Sequence, residues 1–180
     1  MCSSDLDWLR EVRRPGRLFG LGVSMGASIL LQSLTEEPRF CAVVAESPFA
    51  SFREIAYDRM GQPFGAGPWL GRLFLRPVVE SGILYARFKY GVDLERASPE
   101  EALRRVRTPV LLIHGVRDRN IPVRHSRRIM EHGFGNVSLW EAPEADHARV
   151  LGSRPQEYER RVTEWFGSFA TPCEPAGSSG

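Results

Sequence analysis

Lysine is almost missing from this 180-residue sequence: Lys89 is the only one among 24 Lys and Arg residues. Arginine codons in a GC-rich genome account for that bias without a functional reason. A charge of one sign is also lacking, since 24 basic and 22 acidic residues leave a net charge of +2. That excludes a nucleic-acid partner held by bulk charge. Cysteine is scarce, and Cys2, Cys41 and Cys173 form no CxxC pair and no spacing of a metal site or disulfide framework. No apolar run approaches the roughly 20 residues of a membrane-spanning helix. Gly20 and Gly22 begin a dinucleotide-type GxGxxG pattern that Met25 breaks, so no phosphate-cradling loop and no cofactor is expected. What remains is one domain's worth of chain, 42% hydrophobic and able to form a real core.

The stretch RLFGLGVSMGASILLQSL, residues 17–34, stands out. Its apolar first part (Leu18, Phe19, Leu21, Val23) reads as a short buried strand, broken by Ser24 between Gly22 and Gly26. A helical pattern then resumes through Ile29, Leu30 and Leu34. A strand turning sharply into a helix with a hydroxyl at the apex is a nucleophile elbow. The glycines two residues either side are expected because side chains there would collide across so tight a turn. GxSxG arises by chance in roughly one chain of this length in twenty, so the pentapeptide needs support from elsewhere. A glycine-rich turn with an idle serine is the plainer reading.

Upstream, residues 1–6 (MCSSDL) match a translation of GTG TGC TCT TCC GAT CTN, the end of a common sequencing adaptor. They are expected to be non-native, with the reading frame starting inside a gene. Residues 7–16 read as the tail of a helix carrying Trp8, Leu9 and Val12 on one face and stopped by Pro15-Gly16. Downstream, residues 40–45 (FCAVVA) and 109–114 (PVLLIH) are continuously apolar, as in strands of a parallel sheet covered on both faces. Residues 137–141 form a fourth, shorter strand. Between them, residues 51–105 show no clear strand, with helices expected at 52–60, 69–90 and from Pro99. Helices are also expected at 122–134 and 158–169, the last with Val162, Trp165, Phe166 and Phe169 sharing a face. Residues 170–180 have the composition of a disordered tail. The alternation defines an α/β doubly wound pattern.

A serine hydroxyl needs a base to take its proton, and the base needs an acid to set its tautomer. Of four histidines, His114 ends a buried strand, where packing or hydrogen bonding is its expected role. His125 and His132 lie on an arginine-rich helix and are expected to be solvated. His147 sits in a loop after the last strand, from which an imidazole reaches across the sheet edge. For the acid, Asp118 follows the third strand, and Ser24, Asp118 and His147 all fall at the carboxyl ends of strands, where ligand sites collect. Glu46 and Asp146 are the rivals.

The segments GVSMG, SPF, LLIHGVRD, IP and EADH, in this order and spacing, resemble the second half of an α/β-hydrolase. The likeness is to bacterial serine hydrolases related to serine aminopeptidases and prolyl-oligopeptidase-type enzymes, and it covers residues 7–169. The resemblance implies Ser24 as nucleophile, Asp118 as acid, His147 as base and the Met25 backbone N–H as an oxyanion donor. It implies cleavage of an ester or amide bond in a small-molecule or peptide substrate, without metal or cofactor. It also implies a fold of about eight strands, of which these four are the last. The earlier strands and the second oxyanion donor are then expected upstream, together with any signal or membrane anchor. Leu18–Val23 would be left as a sheet edge, and the chain by itself is expected to be a weak or inactive fragment. A non-catalytic binding or interaction protein on the same fold is the alternative.

Two further features carry open readings. Residues 51–105 lie where family members insert a cap. Phe64, Trp69, Leu70, Leu73, Phe74, Tyr85 and Phe88 there either line an acyl pocket or pack helices on the sheet. Arg117, Arg119, Arg124, Arg127 and Arg128 around the acid loop either attract anionic substrates or form an ordinary charged surface.

Overall fold

A computed structural model describes residues 2–62 and 73–169; Phe64, Trp69 and Leu70 lie outside them. The elements run α1 (Cys2–Arg13), β1 (Leu18–Val23), α2 (Met25–Ser33), β2 (Phe40–Glu46) and α3 (Phe52–Gly61). They continue with α4 (Arg76–Tyr90), a 3-10 turn (Leu94–Arg96), α5 (Pro99–Leu103), β3 (Val110–Gly115), α6 (Arg124–His132), β4 (Val137–Ala142), α7 (Val150–Ser153) and α8 (Pro155–Ser168). Among the described residues the sheet has four strands in the order β1-β2-β3-β4, all parallel.

Continuous apolarity in β2 and β3 has the expected cause: both faces are covered. Val43, Ala45, Val110 and Leu112 point into one core with Ala27, Leu31, Leu103 and Ile129. Their neighbours Val44, Leu111 and Ile113 point into another with Trp140, Val150 and Tyr158, closed by Val162, Trp165 and Phe166 of α8. The apolar face expected on that last helix is thus the one that packs. Trp165 Nε1 donates to the Val43 carbonyl at 3.2 Å, and Phe166 meets Phe19 of β1 at a 4.8 Å ring separation.

β1 differs from the central strands. Among the described residues it pairs with β2 alone, and Leu21 is 50% and Val23 38% exposed. On α1, Trp8 and Val12 share a face as expected but are exposed. Cys41, at the start of β2, is disulfide-bonded, which the cysteine spacing did not announce.

The helical stretch between β2 and β3 builds a small core of its own: Tyr57, Val79 and Ile83 with Phe52, Ala56, Met60 and Leu94 against them. Leu73, Phe74, Tyr85 and Phe88 do not join it. All four are more than half exposed, and none lines the cleft described below. Caps are as the residue types suggest: Ser51 accepts from the Glu54 N–H and Ser98 from the Glu101 N–H.

Candidate active site

β1 ends at Val23 and α2 begins at Met25, so a single residue, Ser24, makes the turn. It does so with φ 54° and ψ −119°, a left-handed conformation that costs a non-glycine residue roughly 1–3 kcal/mol. Three contacts hold it there. The Ser24 N–H donates to the Glu46 carbonyl at 2.7 Å, the Ser28 N–H to the Ser24 carbonyl at 3.1 Å, and Ser28 Oγ, which accepts the Phe49 N–H at 3.0 Å, donates to the Ser24 carbonyl at 3.4 Å. A Cβ at Gly22 would meet Ala27 N and Cα and the Gly26 oxygen at 2.8 Å, so the first turn of α2 folds too closely over β1 for any side chain. At Gly26 an added Cβ meets nothing within 4 Å. The steric need expected on both sides of the serine therefore holds on one.

The other two loops are drawn together by a second close approach. Gly115, at the end of β3, has the Ala145 carbonyl oxygen 2.4 Å from where a Cβ would stand. With that space open, the Arg117 N–H donates to the Ala145 carbonyl at 3.0 Å and the Val116 N–H to Ala142 at 3.0 Å. The loop after β3 and the loop after β4 thus lie side by side. Glu144 (φ 65°) and Ala148 (φ 53°) are left-handed on either side of His147 and fold that loop back over the strand ends.

The result is one hydrogen-bonded line. His147 Nδ1 lies 2.7 Å from Asp118 Oδ2, and His147 Nε2 lies 2.8 Å from Ser24 Oγ. Asp118 is acceptor-only when ionised, so Nδ1–H is the donor and Nε2 is free to accept from the Ser24 hydroxyl. The opposite oxygen, Asp118 Oδ1, accepts the backbone N–H groups of Asn120 at 2.9 Å and Ile121 at 2.8 Å. Behind it, His114 is fully buried, receives Ser126 Oγ at 2.7 Å on Nδ1, and donates from Nε2 to the Ile121 carbonyl at 2.7 Å. The same nitrogen is 3.4 Å from Asp118 Oδ2. Burial pushes the Asp118 carboxyl upward. The hydrogen bonds from His114, the Ile121 N–H and His147 outweigh it and hold the group at about 2, below its ordinary 3.8. Asp118 is therefore an anion at neutral pH.

The rival acids lie elsewhere. Glu46 is buried and accepts from the Val150 N–H at 3.0 Å; its charge and hydrogen bond, after burial, help push Tyr158 up to about 12. Asp146 accepts the His147 backbone N–H at 2.7 Å, not the ring. His132 turns inward to its own helix, donating from Nδ1 to the Arg128 carbonyl at 2.6 Å. His125 departs from the sequence reading. Instead of being solvated it is fully buried, with Nε2 2.7 Å from Asp58 Oδ2 and Nδ1 accepting the Ala50 N–H at 3.1 Å. Asp58 was not singled out because 67 residues separate it from His125.

A cleft of about 270 Å³ opens on the serine, lined by Ser24, His147, Ile55, Arg59, Asn120 and Ile121. Ile55 and Arg59 are one turn apart on α3, so the helical stretch does reach the site, through residues the sequence reading did not name. Among the arginines it did name, Arg117 pairs with Glu144, Arg124 with Asp58 and Glu54, Arg127 with Glu141, and Arg128 with Glu100 and Glu54. Those four charges are neutralised on the surface; Arg119, the fifth, is exposed and pairs with no carboxylate among the described residues. Among the described residues no group of His, Cys, Asp and Glu is arranged to hold a metal ion.

A sheet of this kind with a serine at the first strand-helix turn is that of the alpha/beta hydrolase family, and the chain belongs to it: the family's model matches residues 3–161. An esterase of Pyrococcus furiosus, Pf2001, superposes with a TM-score of 0.68 at 24% identity, over 93% of this chain and 60% of that one. An acylaminoacyl peptidase of Pyrococcus horikoshii superposes with a TM-score of 0.62 at 17% identity, over 98% of this chain and 28% of that one. In sequence, the uncharacterized protein YqkD of Bacillus subtilis (strain 168) is 25% identical over 131 residues, 73% of this chain and 41% of that protein. The chain thus spans about 40–60% of the length of YqkD and the esterase and covers part of the α/β-hydrolase fold.

Proposed function

We propose that this protein is a serine hydrolase that cleaves ester or amide bonds through an acyl-enzyme. The observation that carries the reading is the continuous line Ser24 Oγ–His147 Nε2 (2.8 Å) and His147 Nδ1–Asp118 Oδ2 (2.7 Å), beside a cleft that Ser24 and His147 line. Ser24 Oγ attacks the carbonyl carbon while its proton passes to His147 Nε2. Asp118, ionised and held by two backbone N–H groups, fixes the ring and stabilises the imidazolium. His147 then returns the proton to the leaving alcohol or amine, and water repeats the cycle to release the acid. The Met25 N–H, first in α2 and so without an intrahelical acceptor, is the oxyanion donor at the positive end of the helix.

The family pattern takes its second donor from a segment ahead of the nucleophile strand. Losing one oxyanion donor costs on the order of 10²–10³ in rate.

A fluorophosphonate probe tests the reading. Stoichiometric labelling that disappears in Ser24→Ala supports it. A folded protein, tested also in any longer natural form, that neither labels nor cleaves activated esters overturns it and leaves a non-catalytic binding protein on the same fold.

A further inference from the structure

We infer that Arg59 is the specificity-determining residue of the cleft and that the substrate carries a carboxylate, so that the bond cleaved belongs to a small anionic ester or amide. This rests on the hydrolase reading for its reaction but not for its binding.

Arg59 is singled out by what it lacks and by how it is held. Its Nη1 donates to Asn120 Oδ1 and to Gln62 Oε1, each at 3.1 Å. Both acceptors are neutral. Arg117, Arg124, Arg127 and Arg128 each spend their charge on a carboxylate, whereas Arg59 and Arg119 have no carboxylate partner among the described residues; of these two, Arg59 lines the cleft. The cleft lining of Ser24, His147, Ile55, Asn120 and Ile121 supplies none either. Asp118, the nearest acid in the site, is buried behind His147 and already occupied by His147 and the Asn120 and Ile121 N–H groups.

The side chain is also braced. Gln62 Nε2 donates to the carbonyls of Arg119 at 2.6 Å and Asn120 at 3.3 Å, tying the end of α3 to the acid loop. One residue before Arg59, Asp58 is buried against His125 and Arg124 of α6, which fixes the rotation of α3 with Arg59 on the cleft that Ser24 lines. A guanidinium positioned by neutral groups keeps donors and its full charge for a bound anion. It matches a carboxylate in geometry. Ile55, one turn earlier, offers the apolar side of the same cleft. A volume of about 270 Å³ falls below that of drug-sized pockets, roughly 300–1,000 Å³, and suits a short substrate.

Calorimetry on the Ser24→Ala protein, which binds without turnover, tests the claim with matched ligands. Methyl hydrogen succinate places the carboxylate on the acyl side and acetoxyacetate on the alcohol side; dimethyl succinate and methyl acetoxyacetate are their neutral counterparts. At least one anionic ester is expected to bind tenfold or more tightly than its neutral partner, the scale of one charge-assisted hydrogen bond. Adding Arg59→Gln is expected to bring that ratio to about one, and Arg59→Lys to restore part of it. Equal binding within both pairs overturns the proposal, and so does a preference that survives Arg59→Gln. An anionic preference in a protein that resists the fluorophosphonate probe would sink the hydrolase reading while leaving Arg59 in its role.

Discussion

The molecule contains two histidine–aspartate pairs with the same 2.7 Å separation, His147–Asp118 and His125–Asp58. They differ in what the rest of each ring faces. In the first, the free nitrogen meets Ser24 Oγ at 2.8 Å beside an open cleft. In the second, it accepts the Ala50 N–H inside the protein, and Arg124 closes the other aspartate oxygen. One ring can exchange a proton with a ligand; the other has both nitrogens committed and joins α3, α6 and the loop after β2. A paired histidine is therefore not by itself a sign of catalysis. What distinguishes them is a serine hydroxyl and an open cleft.

The largest expected effect lies on the open pair. His147→Ala should lower ester turnover and fluorophosphonate labelling by about 10⁴-fold or more, with a smaller loss of melting temperature than in His125→Ala because the ring is part-exposed and Asp118 keeps its backbone N–H donors. Turnover assays and a thermal melt on the same preparation check both halves. Asp118→Asn should follow at roughly 10³–10⁴-fold, since the amide favours the wrong tautomer of His147; that scale is taken from another serine enzyme.

On the closed pair the currency changes from rate to stability. His125→Ala leaves Asp58 and the Ala50 N–H buried and short of partners, and should cost about 2–3 kcal/mol of unfolding free energy, read from urea titrations. The activity of its folded fraction should fall far less than in His147→Ala. A loss of rate comparable to that of His147→Ala, without loss of stability, would erase the distinction between the pairs.

The smallest effect is set by pH. Asp118 is held at about 2 against an ordinary 3.8, so the native state binds the proton more weakly than the unfolded chain. Its contribution is full above about pH 4 and is lost as pH falls toward 2. The size is on the order of 2 kcal/mol. Wild type should lose that increment between pH 5 and pH 2, and Asp118→Asn should lack it, by urea titration across the range.

Much of the sheet could be read from the chain. Residues 40–45 and 109–114 are apolar runs because Val43, Ala45, Val110 and Leu112 enter one core while Val44, Leu111 and Ile113 enter the other. The helix starts at Ser51 and Ser98 were visible because capping is local chemistry. The short α7 and the 3-10 turn at Leu94–Arg96 were missed, since three or four residues carry no periodicity. Ser24, Asp118 and His147 were named from motif and position, and the structure puts them on one line. Arg59, Asn120 and Ile55 were not named. Nothing in their neighbours distinguishes an arginine facing a cleft from one facing water, and five other arginines looked better placed.

The elbow's place at the end of β1, the order of the three candidate residues and the covered faces of β2 and β3 all follow from local pattern, because strand alternation, a tight turn and a steric need for Gly22 involve residues within a few positions of one another. Which histidine is buried against an aspartate, which arginines are neutralised and which side of α3 meets the serine were settled only in three dimensions. Each depends on groups well separated in sequence, from 14 residues for Arg127 and Glu141 to 61 for Arg59 and Asn120 and 67 for Asp58 and His125. Burial and charge pairing are properties of the packed surface, and no local run of residues carries them.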